Sequence, residues 1–323
     1  MPALYFFPVT RINTIDAHVA GEVVRLIVGG GPAVPGRTMA EKLTWLRRHG
    51  EELRTLLMLE PRGHAGMHGA LLTEPVSAGA HAGVLSMHAA GFSTLSGEGV
   101  VAAVTIALEH RLIAGADELV LLDTPAGLIS TSPRMSGDRV ESVSLIGVPS
   151  FVHSAGVPVQ VGSRRLTVDI AYGGEFYAIA DSEAVGIPIE MANVSPIVRM
   201  SADIKTAVES SIDVVHPIDR RQKGIHGTIF TGAPRAAADL RSATVVGGQV
   251  LRRSPGVTGT AALLAVLDAM DLLMEDHAFT HEGVLGTVLS GRVLNRCHIG
   301  ELPTVIPVIE AAATITGFHE FVC

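Results

Sequence analysis

The sequence predicts an α+β, or mixed α/β, fold, and three observations carry that expectation: β-rich runs outnumber helical ones, the helices are few, and one kind of helix start occurs twice. Short β-rich runs fall at Arg25–Val28, Gly69–Leu72, Ala82–Met87, Glu118–Leu122, Val140–Ile146, Leu166–Ala171, Phe176–Ala180, Gly227–Phe230 and Ala243–Val246, separated by Gly/Pro/Ser turns. Helical periodicity is clearest at Thr38–Leu57, Val100–His110, Ser201–Ser211 and Thr260–Leu273. In FSTLSGEGVVAAVTIALEH (92–110) and RRSPGVTGTAALLAVLDAM (252–270), Ser, Gly and Thr precede an apolar segment of helical length. The first N–H groups of a helix have no partner within it, so a glycine-rich start invites an anion. Two such starts suggest two facing anion sites or a duplicated half.

A chain of 323 residues exceeds what one core usually supports, which favours two domains. The turn-rich TPAGLISTSPRMSGD (124–138) is the best boundary candidate, placing one helix start in each half. A net charge of −8, with no basic cluster longer than Arg220-Arg221 or Arg252-Arg253, excludes a nucleic-acid groove or an anionic membrane surface and leaves a small-molecule partner. Cys297 and Cys323 form no metal or redox spacing, and a cytoplasmic protein is expected. The opening MPALYFFPVTR lacks a basic n-region and a small-residue cleavage site, so no targeting segment is expected there.

Several motifs carry alternative chemistry. Gly97-Glu98-Gly99-Val100-Val101-Ala102 satisfies G-x-G-x-x-[GA], with Asp123 closing a strand beyond it, as a dinucleotide fold requires. Against that reading, Phe92–Ser96 separates the glycines from the preceding strand. His64 and His68 have the i, i+4 spacing of a metal pair, but Gly63, Gly66 and Gly69 argue for a turn with structural histidines, and no metal is expected. Asp16, His18, Glu22 and Arg25 in DAHVAGEVVR are either ligands or the polar edge of a first strand and turn.

Taken in order, DAHVAGEVVR, EPRGHAGMHGALLTEP, HAAGFSTLSGEG, DTPAGLI, VPSFV, DIAYGGEFYAI, VVHPIDRRQKGIHGTIF, RRSPGVTGT and ITGFHEFV run from Asp16 to Val322. Together they resemble the proline racemase superfamily, which contains proline racemases, 4-hydroxyproline epimerases and trans-3-hydroxy-L-proline dehydratases. The long helical insertion before EPRGH is most similar to the dehydratase branch. The resemblance implies a cofactor-free enzyme, expected as a homodimer, with two similar lobes of the diaminopimelate-epimerase-like type, each a sheet wrapped around a central helix. The first lobe would take residues 1–125 plus about 305–323, the second residues 126–304. An imino acid would lie between the lobes, its carboxylate bound by backbone N–H groups at Gly97, Glu98, Val257 and Thr258, with Gly99 completing the first helix start.

Members that racemise or epimerise carry M-C-G-H at the first helix and D-R-S-P-C-G-T-G at the second, the cysteines serving as acid and base. By that resemblance Ser96 and Gly256 occupy the cysteine positions, Glu98 the histidine position and Arg252 the aspartate position. Inversion by two bases needs a group on each face of the α-carbon, and Gly256 has no side chain. Dehydration of trans-3-hydroxy-L-proline needs a base on one face, and is the first expectation; 4-hydroxyproline epimerisation or proline racemisation by altered residues is the second, and imino-acid binding without turnover the third. Ser96 needs an activating neighbour, Glu98 is a weak base unless burial raises its pKa, and a Glu98–Arg252 pair would keep opposite charges across the cleft.

Overall fold

The computed structural model describes residues 11–114, 118–235, 237–247, 250–274 and 277–322. Most of the N-terminal stretch, Met1–Thr10, and Cys323 lie outside them. The chain opens with β1 (Arg11–Val19), β2 (Glu22–Gly29), α1 (Met39–His49), α2 (Glu51–Met58), β3 (His68–Thr73), β4 (Ala82–His88), β5 (Gly91–Ser93), α3 (Gly97–Glu109), β6 (Val120–Thr124), β7 (Gly127–Ser136) and β8 (Arg139–Ile146). It continues with β9 (Phe151–Val161), β10 (Arg164–Tyr172), β11 (Phe176–Asp181), α4 (Ser182–Val185), α5 (Val194–Ser211), β12 (Gly227–Gly232), β13 (Leu240–Val246), β14 (Val250–Leu251), α6 (Val257–Ala269), β15 (Phe279–Glu282), β16 (Val288–Ile299), β17 (Leu302–Ala311) and β18 (Ala313–Val322).

Strand pairing reveals a duplication. In the first half β1 pairs β2 antiparallel, β2 pairs β3 parallel, β3 pairs β4 antiparallel, β4 pairs β6 parallel, and β6, β7 and β8 follow antiparallel. In the second half β10, β11, β12, β13, β15, β16 and β17 repeat the same sequence of senses. A short hairpin strand precedes each central helix, β5 on β4 and β14 on β13. The halves exchange one strand each, since β18 returns to β1 while β9 crosses to β10, and β8–β17 pairing joins the two sheets.

This pairing moves the expected division of the chain. The stretch 124–138 is not a linker: it forms β7 and its turns, and Ile129 packs with Val140, Val143 and Leu145 in the cluster around α3. The chain passes between halves from Ile146 to Phe151 and returns between Ala311 and Ala313, because β8 completes the first sheet and β17 the second.

Each half wraps its sheet around a helix that is apolar on almost every side. Gly97 to Ala107 of α3 are all buried, as are Gly259 to Val266 of α6, the pattern of a helix surrounded by core. The single helix expected over Thr38–Leu57 is two, because at Gly50 the N–H closes onto Leu46 O (2.7 Å) and a Cβ would meet the Leu46 side chain at 2.6 Å. With β2, β3 and β4 these helices form a third apolar cluster around Leu46, Leu57 and Met58.

Candidate active site

Ser96 adopts extended backbone and its Oγ accepts the Gly99 N–H (3.1 Å), capping α3. Gly97 follows because nothing larger fits: a Cβ there would lie 2.4 Å from Val257 Cβ, so the starts of α3 and α6 touch. At α6 the cap residue is Gly256, with φ +89° and no capping side chain. Its carbonyl accepts the Thr260 hydroxyl (2.7 Å), and Thr260 Oγ1 also lies 2.8 Å from His281 Nδ1. Burial pushes the His281 pKa down to about 3, so this core histidine is neutral. The DIAYGG motif closes over α6: a Cβ on Gly173 would lie 2.2 Å from Thr258 O, and Tyr177 Oη sits 2.7 Å from Thr258 Oγ1.

A buried ion network crosses between the halves just beneath these helix starts. Arg252 Nη2 contacts Glu98 Oε1 (2.7 Å), its Nε lies 3.3 Å from Glu22 Oε2, and its Nη1 donates to His68 Nε2 (2.6 Å). Glu98 also accepts the Ser254 hydroxyl (2.8 Å), while Glu22 Oε2 accepts the N–H groups of Arg253 (2.8 Å) and Ser254 (3.4 Å). Glu98 and Arg252 are 4% and 8% exposed, so they are not solvated surface charges. Burial alone would raise the Glu98 pKa, but Arg252, His68 and Ser254 bring it to about 2 and fix it as an anion. The condition for a basic Glu98, a pKa raised by burial, is therefore not met. His68 is held well below its usual range by burial and by the Arg252 charge.

Above the network lies a cavity of about 320 Å³, walled by Ser93, Leu95, Ser96, Gly97 and Glu98 from the first half and Glu175, Tyr177, His226, Arg252, Gly256 and Thr258 from the second, with His68 and His88 on one side. That volume suits a small ligand. Burial depresses the pKa of His88 and takes that of His226 to about 4, with the Arg252 charge adding to both, so the histidines present neutral rings. Glu175 is the opposite case: burial pushes its carboxyl up to about 7.

Of the eight residues expected at the site, Ser96, Gly97, Glu98 and Gly99 lie at the start of α3 and Gly256, Val257 and Thr258 at the start of α6, while Arg252 comes from the segment before α6; all but Gly99 and Val257 line the cavity. Of the histidine pair, His64 stays in a turn, its Nδ1 accepting the Gly66 N–H (3.1 Å), whereas His68 opens β3 and lines the cavity. Within DAHVAGEVVR, Asp16 and Arg25 form a buried structural pair (2.8 Å), with Arg25 also donating to Leu57 O and Arg62 O, and only Glu22 reaches the network. Asp123 accepts the N–H groups of Val76 (2.8 Å) and Ser77 (2.7 Å), so it bonds a loop of its own half, unlike the ribose-binding acid of a dinucleotide site. Sequence reasoning missed Glu175, Tyr177, His88 and His226. The signal was present in the repeated His-Gly of MHGALLT and IHGTIFTG, whose histidines both line the cavity.

A sequence profile of the family described as proline racemase matches residues 14–323. The chain belongs to the proline racemase family. A trans-3-hydroxy-L-proline dehydratase of Bacillus cereus is 41% identical over 313 residues, covering 96% of this chain and 94% of that protein. A 3-hydroxyproline 2-epimerase of Burkholderia multivorans is 36% identical over 315 residues, covering 96% and 94%. The crystal structure of a hydroxyproline epimerase from Agrobacterium vitis, with trans-4-hydroxy-L-proline bound, superposes with a TM-score of 0.87 at 29% identity, covering 97% of this chain and 93% of that one. The fold is that of the proline racemase family, and this member is an enzyme whose relatives are named as lyases and isomerases.

Proposed function

We propose that the enzyme dehydrates trans-3-hydroxy-L-proline to pyrroline-2-carboxylate, holding the imino acid in the cavity between the helix starts. The observation that carries this reading is Gly256. It stands, by family resemblance, where racemising members place their second acid–base cysteine, yet it has no side chain, and its left-handed φ strains any other residue. Inversion needs proton transfer at both faces of the α-carbon, whereas elimination needs it at one. Relatives named as dehydratases at 41% and 36% identity support the same choice.

In this reading the N–H groups of Gly97, Glu98, Val257 and Thr258 bind the carboxylate, helped by both helix dipoles. Ser96 stands at the first cysteine position and contacts the ring substituents. Glu98 and Arg252, already paired with each other, hold the two helix starts in register beneath the substrate. The neutral rings of His68, His88 and His226 line the wall without adding charge beside the α-carbon.

The test is incubation with trans-3-hydroxy-L-proline, cis-3-hydroxy-L-proline, trans-4-hydroxy-L-proline and L-proline in heavy water, followed by proton NMR. Pyrroline-2-carboxylate from the first substrate alone is the expected result. Inversion of 4-hydroxyproline or proline, with no elimination, would replace this reading with epimerisation.

A further inference from the structure

The two halves each place a glutamate at the same hairpin turn, and among the described residues only one of them meets a cation. Val-Ala-Gly-Glu22 joins β1 to β2 and Tyr-Gly-Gly-Glu175 joins β10 to β11, with the preceding glycines, Gly21 and Gly174, both left-handed at φ +88° and +107°. Glu22 meets the segment leading into α6, where the Arg252 side chain and the Arg253 and Ser254 amides saturate it. The corresponding segment leading into α3 reads Phe-Ser-Thr-Leu-Ser and carries no cation. Accordingly, Glu175 accepts no hydrogen bond from a described side chain, and its nearest charged-type neighbour is His226 Nδ1 at 3.9 Å, beyond hydrogen-bond reach. Glu175 lines the same cavity as Ser96 and Gly256.

The other groups at the cavity are poor bases. Glu98 is bound to Arg252 and Ser254. Ser96 Oγ accepts the Gly99 N–H, and no described carboxylate or imidazole accepts its proton. We propose that Glu175 is the catalytic base of the dehydration: its carboxylate takes the α-proton of the bound imino acid and returns a proton to the departing 3-hydroxyl.

The step balances within one carboxyl group. In trans-3-hydroxy-L-proline the α-hydrogen and the 3-hydroxyl lie on the same ring face, both opposite the carboxylate. Glu175 accepts the α-proton, the C–H electron pair becomes the C2=C3 bond, the C3–O bond breaks, and the oxygen leaves as water with the proton Glu175 has just received. The enamine product then tautomerises to the cyclic imine. A carboxyl with a pKa near neutrality suits both roles, and burial gives Glu175 such a value.

The inference rests on the dehydratase reading, so the assay keeps the two apart. Glu175→Gln preserves shape and should still bind pyrrole-2-carboxylate, a planar mimic of the flattened α-carbon, with near wild-type affinity, yet lose turnover and α-proton exchange by about 10²-fold or more. Wild-type kcat/KM should rise with pH through about 7 and then level, and Glu175→Asp should move that limb. The groups facing Glu175 are His226, Tyr172 and Tyr177, with His68, His88, Glu98 and Arg252 across the cavity; burial moves the three histidines down and both tyrosines up from their ordinary values, away from the limb assigned to Glu175. A Glu175→Gln enzyme that retains turnover, or a wild-type profile flat between pH 6 and 8, overturns the assignment while leaving the dehydratase reading intact. A wild-type enzyme that neither eliminates nor exchanges with any imino acid overturns both.

Discussion

The two halves of the molecule share a topology and divide the labour. In the first, the hairpin glutamate Glu22 and the helix-start glutamate Glu98 are both committed to Arg252 of the second. In the second, the hairpin glutamate Glu175 meets no cation among the described residues and the helix start is a glycine without a capping side chain. The same difference appears at the caps themselves, where Ser96 closes α3 with its side chain and Gly256 opens α6 in a backbone conformation only glycine adopts easily. Duplication supplies two adjoining helix starts, and the short segments before each helix decide which hairpin glutamate meets a cation among the described residues.

Breaking the clamp should have the largest effect. Arg252→Met leaves Glu22 and Glu98 buried without their cation, and a loss of about 3–5 kcal/mol is expected by urea denaturation. Adding Glu98→Gln to Arg252→Met should recover part of it, since the second change removes one of the stranded charges. Next comes Gly256→Ala, for which a left-handed backbone predicts about 1–3 kcal/mol of destabilisation despite open space around the Cβ. Ser96→Ala, which removes only the cap of α3, should cost about 1 kcal/mol. If the two caps weigh the same, the asymmetry between the halves is not a matter of backbone.

The charge asymmetry makes a separate prediction in pH. Glu98, depressed to about 2 against its ordinary 4.5, contributes stability that is complete above 4.5 and lost as pH falls towards 2. His226, depressed to about 4 from 6.5, acts in the same direction as pH falls from 6.5 through 4. Glu175, raised to about 7 from 4.5, acts oppositely and costs stability as pH rises across that interval. Glu175→Gln should therefore melt higher than wild type at pH 8, with the gap closing by pH 4.5. A gap independent of pH between 4.5 and 8 would show that folding does not raise the Glu175 pKa.

The mixed fold and the two helix starts were legible because they depend on local chemistry: apolar runs of helical length and glycines where a neighbour approaches closely. The strands β9, β16 and β18 were not, since β9 carries Pro158 and an exposed Gly156, and much of β16 and β18 is exposed, which obscures the alternation. The boundary was misplaced because 124–138 has a turn-like composition but is held by strands on both sides. At the site, Glu98 and Arg252 were legible through the family resemblance, as opposite charges at two positions where racemising members carry a histidine and an aspartate. Glu175 was not, because its importance lies in the missing cation of a segment far away in sequence.

The central claim is that the two helix starts act as one carboxylate cradle, and Gly97 is where they touch. Calorimetric titration with pyrrole-2-carboxylate tests it most directly, using wild type and Gly97→Ala, whose added methyl would lie 2.4 Å from Val257 Cβ and wedge α3 from α6. Wild type should bind one ligand per chain. Gly97→Ala, folded by circular dichroism, should bind at least tenfold more weakly, as expected when geometry at a shared anion site is lost. Equal binding by the two proteins, or no heat from wild type at millimolar ligand, would contradict the account.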